Sequence, residues 1–332
     1  MRYVSDGNST CYLYESGLYA STSGTGQWIG LVQSCDPDEN TNIKSVRYHG
    51  QNTRNVGVFV DGALDFGGKF SYYAQDFKML GFALGSIVDA GSPSPYTHVA
   101  SEVNTGTNNV MTSGTNCPFI SFTLETAQKG AAAGEHFIRT FKGCMVDSIS
   151  IAGTMGEPIT IDVNWVSKEG LFTSGTVTSA TADTTRPYLW SDVKLWIPSG
   201  TANMITDLKS LTYTLNNNLM KEHYLNGSRQ ISIPIPVNRD HELSVSMDAS
   251  NAWAKTMYEQ YLQGGVGSQF NVLLEINASA GSKDAFLALS GCVMMDVSAP
   301  MPNDGVNEFS LTIKPTSASL STNDLIFKWN AF

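Results

Sequence analysis

The two halves of this 332-residue chain carry the same succession of short patterns, and no other feature restricts its folding as strongly. Near the end of each half a Gly-Cys pair opens an apolar run: residues 141–150, FKGCMVDSIS, against residues 289–298, LSGCVMMDVS. A few positions on, residues 157–165 (EPITIDVNW) have a counterpart in residues 307–315 (NEFSLTIKP). Both alternate apolar and polar side chains with period two, so Ile159, Ile161 and Val163, like Phe309, Leu311 and Ile313, face a core from a β-strand. Residues 119–125 (FISFTLE) match residues 269–275 (QFNVLLE), again a strand pattern, at an offset of about 150 residues.

Before each of these lies a short helical pattern. Residues 76–85 (DFKMLGFALG) space Phe77, Leu80 and Leu84 on one face, and residues 250–262 (SNAWAKTMYEQYL) do the same with Trp253, Met257 and Tyr261. Asp76 or Ser250 would accept hydrogen bonds from the free amides of the first turn. Further upstream, residues 54–60 pair with 229–235 and residues 63–71 with 241–247, now at an offset of about 175. One insertion of about 25 residues in the first half reconciles the two offsets. The stretch from Ser86 to Cys117, rich in Gly, Ser, Pro and Asn, supplies it where the second half has only GGVGS at 264–268.

The expected fold is therefore mainly β, a β-sandwich or partial barrel with one flanking helix per module, built as a tandem duplication: residues 1–170 with the insert at 86–117, then residues 171–332. Charged residues are only 15% of the chain, so Ser, Thr, Asn and Gly must cover much of its surface. A net charge of −10 with no Lys/Arg cluster argues against a protein that grips nucleic-acid phosphates. The N-terminus has no apolar signal core and no run of about 18 apolar residues follows, so a soluble protein is expected.

The residues offer no catalytic constellation. Cys11, Cys35, Cys117, Cys144 and Cys292 are odd in number and widely spaced, which reads as free, mostly buried thiols of a protein folded in the cytoplasm. The histidines His49, His98, His136, His223 and His241 form no HExxH or other ligand-spaced pair, so no metal and no cofactor are expected. The run from Gly24 to Gly30 has its third Gly one place late for a dinucleotide loop, and no βαβ unit surrounds it. Asp36, Asp38 and Glu39, in CDPDEN, sit in a run of turn-forming residue types. The sequons at Asn8, Asn226 and Asn277 are what an Asn-, Ser- and Thr-rich chain makes by chance.

The order of hairpin strands, one helix, a Gly-led strand and a closing amphipathic strand resembles the tail tube protein of long-tailed bacterial and archaeal viruses. The closest stretches are residues 141–170 and 207–299, particularly LKSLTYTLNNN at 208–218, the Gly-Ser-Arg turn after it and the capped helix. The resemblance implies a structural, non-enzymatic virion protein, folded and assembled in the host cytoplasm, whose rings stack into a conduit for double-stranded DNA. Members with two fused modules close the ring with three chains in pseudo-sixfold symmetry, and single-module members with six; the repeat here looks like the former. Its partners would be further copies of itself, the tape measure, tail terminator and baseplate or tip proteins, and DNA passing without specific binding. No membrane is implied.

A lumen that passes DNA should not hold it, since each phosphate neutralised by Lys or Arg adds grip. Glu125, Asp147, Asp162, Glu242, Glu275 and Asp296 are the candidates for an acidic lining, with Asp147 and Asp296 at equivalent repeat positions. Some of them would instead face solvent outside the ring or lie between modules. Two segments are candidates for contacts between rings: Lys168 to Tyr188, which could extend as a hairpin or arm, and the Ser86 to Cys117 loop. The alternative reading is a carbohydrate-binding β-sandwich of a viral fibre or cell surface. Trp165 and Trp253 fall on apolar phases and suit packing, while Trp190 and Trp196 stay open as parts of a sugar platform.

Overall fold

A computed structural model of the protein describes residues 7–15, 19–21, 25–49, 55–90, 96–103, 120–197, 204–248, 258–259, 261–262, 269–277, 283–300 and 307–324. The alternating patterns emerge as antiparallel strands, numbered in chain order. A long sheet runs β2 (Leu31–Asn40), β5 (Asp65–Tyr73), β10 (Thr160–Ser167), β9 (Phe137–Thr154), β14 (Leu208–Asn216), β17 (Asp240–Asp248), β20 (Glu308–Lys314), β19 (Lys283–Ser298). One flanking sheet runs β1 (Asn8–Tyr14), β8 (Phe122–Gln128), β9, β11 (Glu169–Thr173). The other runs β13 (Met204–Ile205), β12 (Val193–Trp196), β18 (Phe270–Asn277), β19, β21 (Ser317–Asp324), β7 (Tyr96–Glu102), β6 (Gly85–Ala90). Two hairpins complete the strands, β3 (Lys44–Val46) with β4 (Val58–Val60) and β15 (Leu219–Met220) with β16 (Ile235–Pro236).

The strands of the second half pair in the order of those in the first. In the long sheet, β2-β5-β10-β9 is followed by β14-β17-β20-β19, and in the flanks β1-β8-β9-β11 is matched by β12-β18-β19-β21. The likeness extends to side-chain bonds. After β2, Asn40 Oδ1 accepts the Asn42 amide at 2.9 Å, and Asn42, at φ 47°, donates to Ala63 O and Asp65 Oδ2. After β14, Asn216 Oδ1 accepts the Asn218 amide at 3.1 Å, and Asn218, also at φ 47°, donates to Asn238 O and Asp240 Oδ2.

The Gly-Cys pairs mark corners. β9 pairs with β8 and β11 up to Cys144 and with β10 and β14 beyond it, and β19 changes sheets at Cys292 in the same way. Gly143 (φ 66°) and Gly291 (φ 60°) take the left-handed conformation the bend requires. Each following cysteine is fully buried and donates its thiol to a carbonyl three residues back, Cys144 to Phe141 and Cys292 to Leu289. Burial pushes the Cys292 thiol up to about 12 and the Cys144 thiol well above its ordinary value, so both stay protonated.

Between the sheets lies the core. One row of paired residues, Tyr72, Ile161, Ile151, Tyr213, Leu243 and Ile313, crosses six strands of the long sheet with every side chain buried. Burial of each aliphatic side chain in the row is worth roughly 1.5–3 kcal/mol.

α1 (Lys78–Leu84) begins as the sequence predicts, with the Lys78 amide donating to Asp76 Oδ1 at 3.2 Å. A single apolar face is the expectation, yet every residue of α1 is buried. The cause is the insert. Its first part is no loop: β6 and β7 form a hairpin, β7 pairs with β21 of the second half, and α1 lies among β6, β7, β9 and β21. Glu102 at the end of β7 is held at the second half, 3.4 Å from Arg239 Nη1 and 3.0 Å from His241 Nε2. Cys117 lies outside the described residues, as do Gly24, Ser250, Trp253 and Met257; Tyr258, Glu259, Tyr261 and Leu262 are helical and exposed.

The Lys168 to Tyr188 segment is not a projecting arm. It forms β11 and then runs strapped to the first half: Ala180 bridges Gly26, Gln75 Nε2 donates to the carbonyls of Asp183 and Thr185, and the Tyr188 ring packs 5.3 Å from Phe77. Its end is pinned where Arg186 donates to both oxygens of Asp192 at 2.6 and 2.9 Å, joined by the Leu189 amide at 2.9 Å. Burial raises the Asp192 pKa, but these donors outweigh it and hold the carboxyl below the usual range. A depressed folded pKa stabilises above the unfolded value of about 3.9 and is lost as pH falls through the folded one. Asp192→Asn is therefore expected to cost about 1.5–3 kcal/mol near neutrality and progressively less in acid, seen as converging urea midpoints of variant and wild type below pH about 4.

The polar face of the long sheet and its free edges

The same alternation that fills the core leaves the opposite face of the long sheet almost wholly polar. Cross-strand pairing lines up Ser71, Asp162, Ser150, Thr214 and Glu242 across five strands from β5 to β17, and Ser244, Thr312 and Asp296 from β17 across β20 to β19. Asp36 and Lys69 pair at one end of this face, followed by Asn164, whose amide donates to Ser148 at 2.7 Å. The face is a surface of hydroxyls and amides with sparse carboxylates and few cations.

Of the six acidic residues singled out from the sequence, Asp162, Glu242 and Asp296 stand exposed on this face. The other three do not. Glu125 is on β8, buried, and accepts from the Thr178 amide and hydroxyl at 2.8 and 2.7 Å. Glu275 is on β18 and pairs with Lys194 at 3.2 Å. Asp147 is a bulge residue of β9 whose Oδ1 accepts the Leu219 amide at 2.8 Å. Nor are Asp147 and Asp296 equivalent. In the aligned runs 141–150 and 289–298 Asp147 stands opposite Met295 and Ser148 opposite Asp296, and the bulges agree, falling at Asp147 in β9 and at Met295 in β19. Asp36 and Asp38, read from the sequence as turn residues, are exposed on strand β2, and so join the polar face. Period two within CDPDE was the available signal, masked by Pro37.

The long sheet ends in two unpaired edges. Among the described residues, β2 pairs only with β5, and the Val293–Ser298 part of β19 pairs only with β20. The junction of the two halves, β9 with β14, is itself an edge-to-edge pairing of seven residue pairs from Ser148 with Asn216 to Thr154 with Ser210. Apolar side chains are also exposed on both hairpins: Ile43, Val58, Phe59 and Val60 beside and on β3–β4, and Met220, Tyr224, Leu225 and Val237 on and around β15–β16.

Among the described residues no group of three or more His, Cys, Asp or Glu side chains could hold a metal ion, and no helix is long and apolar enough to cross a membrane. Trp165 is buried against Phe141 at 4.9 Å, while Trp190 is exposed and Trp196 half-buried. A buried carboxylate, Glu15, looks reactive by burial alone, but it accepts from Ser121, Thr123, Gly143 and Ala20 at 2.5 to 2.8 Å, which makes it a clasp for the N-terminal strand.

No curated protein matches the chain. A model of the phage tail tube protein family matches residues 45–313, from β3 through β20 and thus across both halves. The chain belongs to the phage tail tube protein family.

Proposed function

We propose that three chains close head to tail into a ring of six four-stranded units, that the rings stack, and that the polar face of the long sheet lines a lumen through which viral double-stranded DNA is ejected. One observation carries the reading: the chain already joins two such units edge to edge through β9 and β14, and leaves outside them the corresponding edges, β2 and β19. A head-to-tail contact of this kind must close or run on as a filament. Closure removes sheet edges that otherwise pair indiscriminately. A lining of hydroxyls, amides and carboxylates with few cations offers phosphates little counter-charge, so DNA slides past it.

In this reading each chain is a tandem duplication and functions in the virion tail, without catalysis. Contacts between rings fall to the apolar hairpins β3–β4 and β15–β16, because the segment between Lys168 and Tyr188 is strapped to its own chain. The residues after β7 towards Cys117 stay a second candidate. The tape measure, terminator and baseplate or tip proteins meet the tube at its ends.

Negative-stain microscopy of the concentrated protein tests the reading. Open tubes or stacked rings with a channel of duplex-DNA width are expected. A monomer or small closed oligomer retained on a glycan column would overturn it in favour of a carbohydrate-binding module.

A further inference from the structure

Within the chain, the β9–β14 junction is locked by a polar clasp. The Asn217 amide donates to Asp147 O at 2.7 Å and the Leu219 amide to Asp147 Oδ1 at 2.8 Å. Asn217, 1% exposed, also donates its side-chain amide to Ala83 O and Val146 O and accepts from Arg239 Nε at 3.1 Å. The repeat identifies what would stand at each of these places where β19 of one chain meets β2 of the next. The matching Asn turns put Thr41 in the place of Asn217 and Ile43 in that of Leu219. The matching bulges put Met295 in the place of Asp147. The pairing of β5 and β17 puts Leu64 in the place of Arg239.

The carboxylate, the amide and the guanidinium of the clasp are thus all missing at the second position. Ile43 and Met295 are instead 58% and 52% exposed in the single chain, an unusual state for two large apolar side chains that the repeat brings to one point. The seam is also shorter. Of the seven template positions only Asp296, Val297 and Ser298 lie in β19, with Pro300 two residues on, and β2 carries Pro37, which has no amide to give.

We infer that the ring has two chemically different kinds of seam: a polar-clasped one inside each chain, and one between chains made by Met295 packing on Ile43 of the next copy, in the register that sets Ser298 opposite Asp38. This rests on the ring-closing reading above. A β-strand slipped by one residue would turn every side chain to the wrong face, so alternation excludes odd slips, and the β9–β14 pairing is the template that selects this register among the even ones. The chain-to-chain seam is the weaker of the two, and rings assemble and come apart there.

The test starts from wild-type rings or tubes imaged by electron microscopy. Under mild oxidation the pair Asp38→Cys with Ser298→Cys is expected to give covalent chain multimers ending at three chains. The pair Asp36→Cys with Ser298→Cys, two residues out of register, is expected to give about tenfold fewer, because disulfide geometry is strict. Ile43→Asp is expected to raise the protein concentration needed for assembly by about tenfold or more, as loss of a buried interface side chain does, with the thermal unfolding of the single chain unchanged. Rings in which the Asp36 pair cross-links better overturn the register. Rings indifferent to Ile43→Asp overturn the apolar lock while leaving the ring reading intact. Wild-type protein that forms no ring overturns the ring reading and this inference together.

Discussion

Gly143→Ala is expected to lower stability by about 3 kcal/mol, the sum of left-handed backbone strain of about 1–2 kcal/mol and overpacking of about 1–3 kcal/mol. A Cβ at Gly143 would stand 2.7 Å from the Tyr19 ring, whose hydroxyl donates to the Gly143 carbonyl, so the ring cannot swing away without losing that bond. It would also disturb the Gly143 amide that Glu15 accepts at 2.7 Å. Gly291→Ala is expected to cost a similar amount, since its Cβ would meet the Thr316 side chain, whose hydroxyl donates to Ser290 O. Gly156 separates the two causes. It lies at φ 91° with nothing near its missing Cβ, so Gly156→Ala carries the strain alone, about 1 kcal/mol. Urea midpoints measure all three. Equal losses at 143 and 156 would show that the corner packing contributes nothing.

The second large effect is on passage of DNA. Asp162→Lys combined with Glu242→Lys turns two carboxylates of the polar face into cations at exposed positions, where each change should alter stability by no more than about 0.5 kcal/mol. Tubes should still form. Each phosphate now neutralised adds about 0.9 to the slope of log binding against log salt, and a stack of rings multiplies the contacts. Wild-type tubes are expected to release a short duplex at physiological salt, and the variant tubes to retain it until salt is raised, measured by filter binding. Intact variant tubes that ignore DNA would place this face away from the lumen.

Much of the architecture was legible because strand periodicity is local. Ile159, Ile161 and Val163 had to share a face with period two, and they lie in the core opposite Asp162 and Asn164. The first helix and the Gly-led strands were equally local features. The acidic residues of the polar face were half legible for the same reason. Periodicity tells that Glu125, Asp162, Glu242 and Glu275 oppose apolar neighbours, but not which sheet their strand enters. Glu125 and Glu275 fall on flanking strands and found partners there, in Thr178 and Lys194.

The sequence by itself therefore determined the class of fold, the doubled order of patterns and the two Gly-Cys positions, all of which follow from side-chain alternation and backbone preference over a few residues. The tertiary structure alone decided two matters. It carried the β6–β7 hairpin across to β21, and it joined β9 to β14 so that, among the described residues, β2 and β19 remain as edges. Each depends on pairing between residues far apart in the chain. Such pairing is chosen by the fit of whole apolar faces in the folded state, and no local run of residues records it.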